Sequence, residues 1–195
     1  MADQLHELIV YAEPGGLLGA RCAEFWAAVS AADASTTAQE YPPHVSLTGF
    51  FRRLPEHVDT ARAALRAACD TAVPAGLDGT RWVEAATLEL QANDEWVGLH
   101  VEAAWMDALI GAFADDPTVA PVGSDEDPVR PKAWLHLSLS YGEQMERLAA
   151  MATELAEPFA ELTGEAEWVV GLWRRTADGW ERLEAVAVTG GAAPA

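Results

Sequence analysis

Two short phrases of this chain share one pattern: His44-Val45-Ser46-Leu47-Thr48 and His136-Leu137-Ser138-Leu139-Ser140. Polar residues stand at positions i, i+2 and i+4, with apolar residues between them. A period of two belongs to a β-strand, so each phrase is expected to carry an imidazole and two hydroxyls on one face and to pack the other into a core. Imidazole titrates near neutral pH and moves protons, and a neighbouring hydroxyl donates to an anionic oxygen. Two such strands brought together make a symmetrical acid–base site with room for a phosphate between them.

The 195 residues suit one domain or two small lobes sharing a core. No run approaches the roughly 18 apolar residues that span a bilayer. The opening Met1-Ala2-Asp3-Gln4-Leu5-His6 has neither a basic nor an apolar signal region, so no membrane association and a cytoplasmic location are expected. Cys22 and Cys69 are too few for a disulfide framework and read as buried thiols. Twelve basic against thirty-one acidic residues give a net charge of −19. Such a surface repels a long polyanion, which argues against structured RNA and for a small ligand. A phosphate pocket must then be locally positive, and Arg52, Arg53, Arg130 and Lys132 flank the two phrases.

Periodicity predicts a buried strand over 8–12, stopped by Pro14-Gly15-Gly16, and a helix over 17–29 with Leu18, Cys22, Phe25 and Val29 as its stripe. The first motif strand is expected within 43–51. A second helix over 56–71, opened by Pro55, buries Val58, Ala61, Leu65, Ala68 and Cys69. Segments 82–91 and 96–101 read as a hairpin, followed by a helix over 104–113 that buries Trp105, Leu109 and Phe113. Residues 115–132 form a long loop of the kind that often serves as a lid or binding element. The second motif strand falls in 133–141, then a helix over 143–162 bent or shortened at Pro158, then a hairpin of 167–174 with 181–189. Strand, helix and hairpin thus occur twice, at an interval too long for a solenoid, which suits a duplicated α+β lobe within one domain over 1–189. The tail 190–195 is expected to be disordered.

With both His-x-Ser motifs in place, the chain resembles the 2H phosphoesterases, whose hallmark is a pair of His-x-(Ser/Thr)-x strands, one from each half of a duplicated fold. It looks most like the plant and yeast cyclic nucleotide phosphodiesterase branch, through Leu8-Ile9-Val10-Tyr11-Ala12-Glu13-Pro14, Pro43-His44, Tyr141, and the stretch from Trp180 to Val188. The resemblance runs from about Leu8 to about Thr189. It implies a bilobal α+β domain, with two antiparallel sheets facing a central cleft and helices outside. It also implies hydrolysis of small 2′,3′-cyclic nucleotides or ADP-ribose 1″,2″-cyclic phosphate, leaving a 2′-type phosphate, with neither metal nor cofactor.

In that chemistry one histidine of the pair His44 and His136 activates water and the other protonates the leaving ribose oxygen. Ser46 and Ser138 bind the non-bridging oxygens. Neither motif offers a second ligand at i+2 or i+4 for zinc, so no metal is expected. His6, His57 and His100 read as structural or surface residues. Tyr141 is the leading aromatic contact for a ligand, although its odd offset from His136 demands a bend in the strand; Trp180 and Trp134 are lesser ones. The chain is expected to act as a monomer on a small cyclic phosphate. The alternatives are a 2H-type enzyme of RNA ends or 2′–5′ linkages, a non-catalytic nucleotide-phosphate binding module, or an interaction protein built on the acidic surface.

Overall fold

Alternation decides which face each strand buries. The computed structural model describes residues 5–32, 37–76, 79–141, 145–154 and 167–190. In β1 (His6–Pro14), Leu8, Val10 and Ala12 enter the hydrophobic core while Ile9 and Tyr11 line a cavity on the other face. The same division holds in β6 (Trp96–Glu102), where Val97, Leu99 and Val101 are core residues, and in β7 (His136–Tyr141), where Leu137 and Leu139 are. Each fully buried aliphatic side chain is worth roughly 1.5–3 kcal/mol, so a one-residue slip in any of these strands would forfeit several of them. Register is thereby fixed, and with it the face that presents the histidines.

The remaining elements are α1 (Gly16–Ala31), β2 (Val45–Ser46), β3 (Phe51–Arg53), α2 (Val58–Ala72), β4 (Trp82–Val83), β5 (Thr87–Ala92), α3 (Ala104–Ala114), α4 (Met145–Glu154), β8 (Glu167–Thr176) and β9 (Gly179–Gly190). The fold is mixed α+β, with these four helices and a nine-stranded sheet among the described residues. The predicted stripes of α1, α2 and α3 are all buried, as are Leu148 and Ala152 of α4. Leu155, Pro158, Phe159 and Leu162 lie outside the described residues.

Several expectations change. The strands run in one path, β4-β9-β8-β1-β2-β7-β6-β5 with β3 also on β1, where two sheets were expected. The two halves of that path meet at β2 and β7 through the single pair Val45–Leu137. The first motif strand breaks after Ser46. The Leu47 amide donates to the Val10 carbonyl, and the Val10 amide donates to the Thr48 hydroxyl instead of to a backbone carbonyl. Thr48 is thus engaged by the backbone. The 82–91 segment is split: β5 and β6 form the hairpin, while β4 leaves it to pair in parallel with the end of β9. That pairing carries β9 through Gly190, one residue into the expected tail; 191–195 lie outside the described residues.

β7 carries the bend that Tyr141 requires. Ser138 pairs with Gly98 and Ser140 with Val97, so Leu139 is an extra residue on β7. A bulge of this kind reverses the alternation beyond it. Leu139 and Ser140 are therefore both buried, and Tyr141 returns to the histidine face. The Trp26 indole N–H donates to the Leu139 carbonyl at 2.8 Å, satisfying a group that the bulge exposes. Ser140, expected beside the histidine, is turned inward instead, and its hydroxyl has no hydrogen-bond partner among the described residues.

Gly98 is the other half of this device. A Cβ built there would lie 2.3 Å from the Leu137 carbonyl oxygen and 2.5 Å from the Trp96 ring, so the indole crosses the space a side chain would fill. From there Trp96 donates to the Ser138 hydroxyl at 2.9 Å. Gly98→Ala should displace the indole and cost about 1–3 kcal/mol of stability, the usual scale of overpacking. Urea denaturation followed by Trp fluorescence measures both effects.

Candidate active site

Residues at the β2–β7 junction set the geometry. Because Val45 pairs with Leu137, continuing that antiparallel register places His44 across from Ser138 and Ser46 across from His136. All four stand on the face opposite the buried Val45 and Leu137. Diagonal neighbours on such a ladder are roughly 7–8 Å apart, which is the spacing the register gives the stems of His44 and His136. The local twofold character follows from two phrases of the same pattern paired antiparallel.

His44 is held by its backbone and by aromatic rings. Its Nδ1 lies 2.8 Å from the Pro42 carbonyl, which can only accept, so Nδ1 carries the proton and Nε2 keeps the lone pair of the neutral ring. The Tyr11 ring lies against it, with centroids 3.9 Å apart, and Tyr41 meets it edge-on at 6.2 Å. Burial lowers the basicity of His44, the Pro42 carbonyl opposes that shift, and the charge of His136 adds to it.

His136 sits among tryptophans. Trp134 stacks on it at 4.2 Å between centroids, and Trp96 meets it edge-on at 5.4 Å. Its Nδ1 is buried without an aligned hydrogen bond among the described residues, although the nearby Trp134 backbone favours its protonated form. Burial again dominates and lowers its basicity, and the positive charges of Lys132 and His100 act in the same direction.

A cavity of about 250 Å³ opens beside this junction. His44, Ser46, Tyr41, Phe50, Lys132 and Tyr141 contribute to its wall. His136 and Ser138 adjoin it without lining it; the Ser138 hydroxyl is hydrogen-bonded to the Tyr141 hydroxyl as well as to Trp96. Trp180 packs at the rim, stacked on Phe50 at 5.5 Å and 6.0 Å from Tyr41. Among the described residues, no three His, Cys, Asp or Glu side chains converge as a metal site would require.

Of the four expected cations, Lys132 faces the cavity. Its amide donates to the Leu47 carbonyl, and the Gly49 amide to the Arg130 carbonyl, which lays the end of the 115–132 loop along the broken motif strand. Arg52 is instead a surface ion pair with Asp127, at 2.7 and 3.2 Å. Arg53 is buried and donates to the Arg52, Asp127 and Val119 carbonyls. The loop that resembled a lid is anchored by buried Glu126, which accepts from the Leu54 and Val122 amides and pairs with His57. His57 has the structural role expected of it.

Sequence reasoning missed Tyr11, Tyr41 and Phe50. Tyr11 alone left a signal: it alternates with Leu8, Val10 and Ala12, which are core. No protein-family model matches this chain, and a search of curated proteins finds no relative.

The lowered basicity of the two histidines has a consequence for folding. As pH falls through the ordinary imidazole range near ~6.5, the unfolded chain takes up protons that the folded site refuses. Their contribution to stability is therefore complete above that range and drains away below it. The melting temperature should fall between about pH 7.5 and about pH 5.5, and fall less in the His44→Gln/His136→Gln double variant. An equal fall in both proteins would assign the effect elsewhere.

No described helix is long and apolar enough to cross a membrane.

Proposed function

We propose that this chain is a metal-independent phosphodiesterase that opens small cyclic phosphates, 2′,3′-cyclic nucleotides or ADP-ribose 1″,2″-cyclic phosphate, and leaves a 2′-type phosphate. The observation that carries this reading is the crossed pairing at β2–β7, which faces each His-x-Ser phrase with the other. One neutral and one protonated imidazole on opposite sides of phosphorus suit in-line displacement: the first takes a proton from water, the second gives one to the departing ribose oxygen. Ser46 and Ser138 are disposed to donate to the non-bridging oxygens, whose charge grows in the transition state. Lys132 adds the one positive side chain on the cavity wall among the described residues.

The cavity lies below the 300–1,000 Å³ or so of drug-sized sites. It matches a phosphate and its sugar and leaves a base at the rim, where Phe50 is half exposed and backed by Trp180. That favours Phe50 over Trp180 itself as the stacking surface, with Tyr141 turned toward the phosphate. The two motif strands, each followed by a helix and a hairpin, support reading the single sheet as two duplicated lobes joined at the site. The work of such a site in the cytoplasm as a monomer belongs to the same proposal.

A panel tests the substrate: the four 2′,3′-cyclic mononucleotides, the ADP-ribose cyclic phosphate, and a short RNA ending in a cyclic phosphate, each incubated in excess chelator. Turnover of the small molecules is expected. Turnover of the RNA end alone would move the assignment to RNA ends despite the charge of −19, and loss of activity to EDTA with recovery on one divalent ion would refute the metal-free mechanism.

A further inference from the structure

His100 was expected to be a structural or surface residue, and the sheet sets it beside His136. The two are cross-strand partners on β6 and β7. The adjacent Val101 amide donates to the Leu135 carbonyl, so His100 and His136 form the non-hydrogen-bonded kind of pair, in which side chains approach most closely. Both imidazoles also lie nearly parallel to the same indole, with Trp134 at 26° and 4.2 Å from His136 and at 22° and 6.0 Å from His100. On the far side, Glu89 of β5 is the cross-strand partner of His100, with its carboxylate 3.9 Å from Nδ1. Glu89, His100, His136 and, by continued register, Ser46 thus form one row across the sheet, running from an exposed acid to the candidate site.

We propose that His100 is a positioning residue for His136: set beside it across the strands and against the same Trp134 indole, it places a charge that governs how readily His136 holds its proton. The role assigned to His136 rests on the phosphodiesterase reading; the coupling does not. The other charges around the pair are placed differently. Lys132, which precedes β7, and His44, which precedes β2, both line the cavity of the candidate site. Glu84, Glu102 and Asp107 share with His100 the wall of a separate cavity of about 470 Å³. Among the described residues His100 therefore stands between that acidic hollow and the site, and its side chain is 22% exposed.

The test is an NMR titration of the full chain labelled with ¹⁵N-histidine, with the His136 resonance assigned by its loss in His136→Gln. His100→Gln removes the neighbouring charge and should raise the His136 midpoint by roughly half a pH unit or more, while His100→Lys makes the charge permanent and should leave it at or below the native value. A role confined to packing would move both variants in the same direction. The same midpoint in all three proteins, or shifts of equal sign, overturns the proposal. A His136 midpoint that moves as expected, in a protein that opens no cyclic phosphate, would keep the coupling and remove the enzymatic reading.

Discussion

Replacing either His44 or His136 by Ala should lower kcat on a 2′,3′-cyclic nucleotide by roughly 10²–10⁴-fold, the usual scale for losing a general acid or base. The double variant should be little worse than either single one, because the two groups act on one transition state and their effects do not add. The fold should survive. Both side chains lie on the cavity face, and the core beneath them is made by Val45 and Leu137. Near-native melting of each variant, together with the loss of turnover, separates a chemical role from a structural one. A variant that melts normally and keeps most of its activity would remove that histidine from the reaction.

The largest effect on stability should come from Glu126. Its side chain is fully buried, accepts the Leu54 and Val122 amides and His57, and lies 4.0 Å from the buried Arg53 guanidinium. Glu126→Ala deprives that guanidinium of the leading one of its two carboxylate counter-charges, the other being Asp127, and leaves two amides without their acceptor. Breaking a buried pair from one side costs about 3–5 kcal/mol. For a chain of this size that corresponds to a fall of roughly 6–20 °C in melting temperature. Glu126→Gln, which keeps an acceptor, should cost less.

The pH dependence of this anchor has a definite sign. Burial alone would push the Glu126 carboxyl up, but the hydrogen bonds from His57, Leu54 and Val122 and the Arg53 charge outweigh it and hold the group below the ordinary carboxylate range. Its contribution is present above the unfolded value near ~4.3 and is lost as pH falls through the lower folded value. Acid should therefore release the 115–132 loop from the start of α2. Melting of Glu126→Ala should show less of this acid dependence than the native chain.

What could be read in the sequence was local in origin. The buried stripe of α1, Leu18 through Val29, follows from helical period alone, and the face of β7 that carries His136 follows from strand period alone. The return of Tyr141 to that face was legible as a requirement, but not its means: the extra residue Leu139 is defined only by its partner strand and by the Trp26 indole from α1. Arg52 and Arg53 show the same limit. Their position beside the first motif suggested phosphate binding, yet their partners stand more than seventy positions away, at Asp127 and Glu126, and neighbours in sequence do not announce such pairs. Lys132, equally close to its motif, reaches the cavity because its backbone is laid along the broken strand. The departure of β4 from the expected hairpin likewise depends on the end of β9.

The central claim is that two imidazoles and two hydroxyls, crossed at one strand pair, open a cyclic phosphodiester with water. Incubating the chain with a 2′,3′-cyclic mononucleotide in EDTA, and following the reaction by ³¹P NMR, tests it most directly. The account predicts loss of the cyclic phosphate signal and growth of a single 2′-phosphate monoester, with neither change in His136→Ala. A cyclic phosphate that persists unchanged, or one that opens equally fast in the native and His136→Ala proteins, would contradict it.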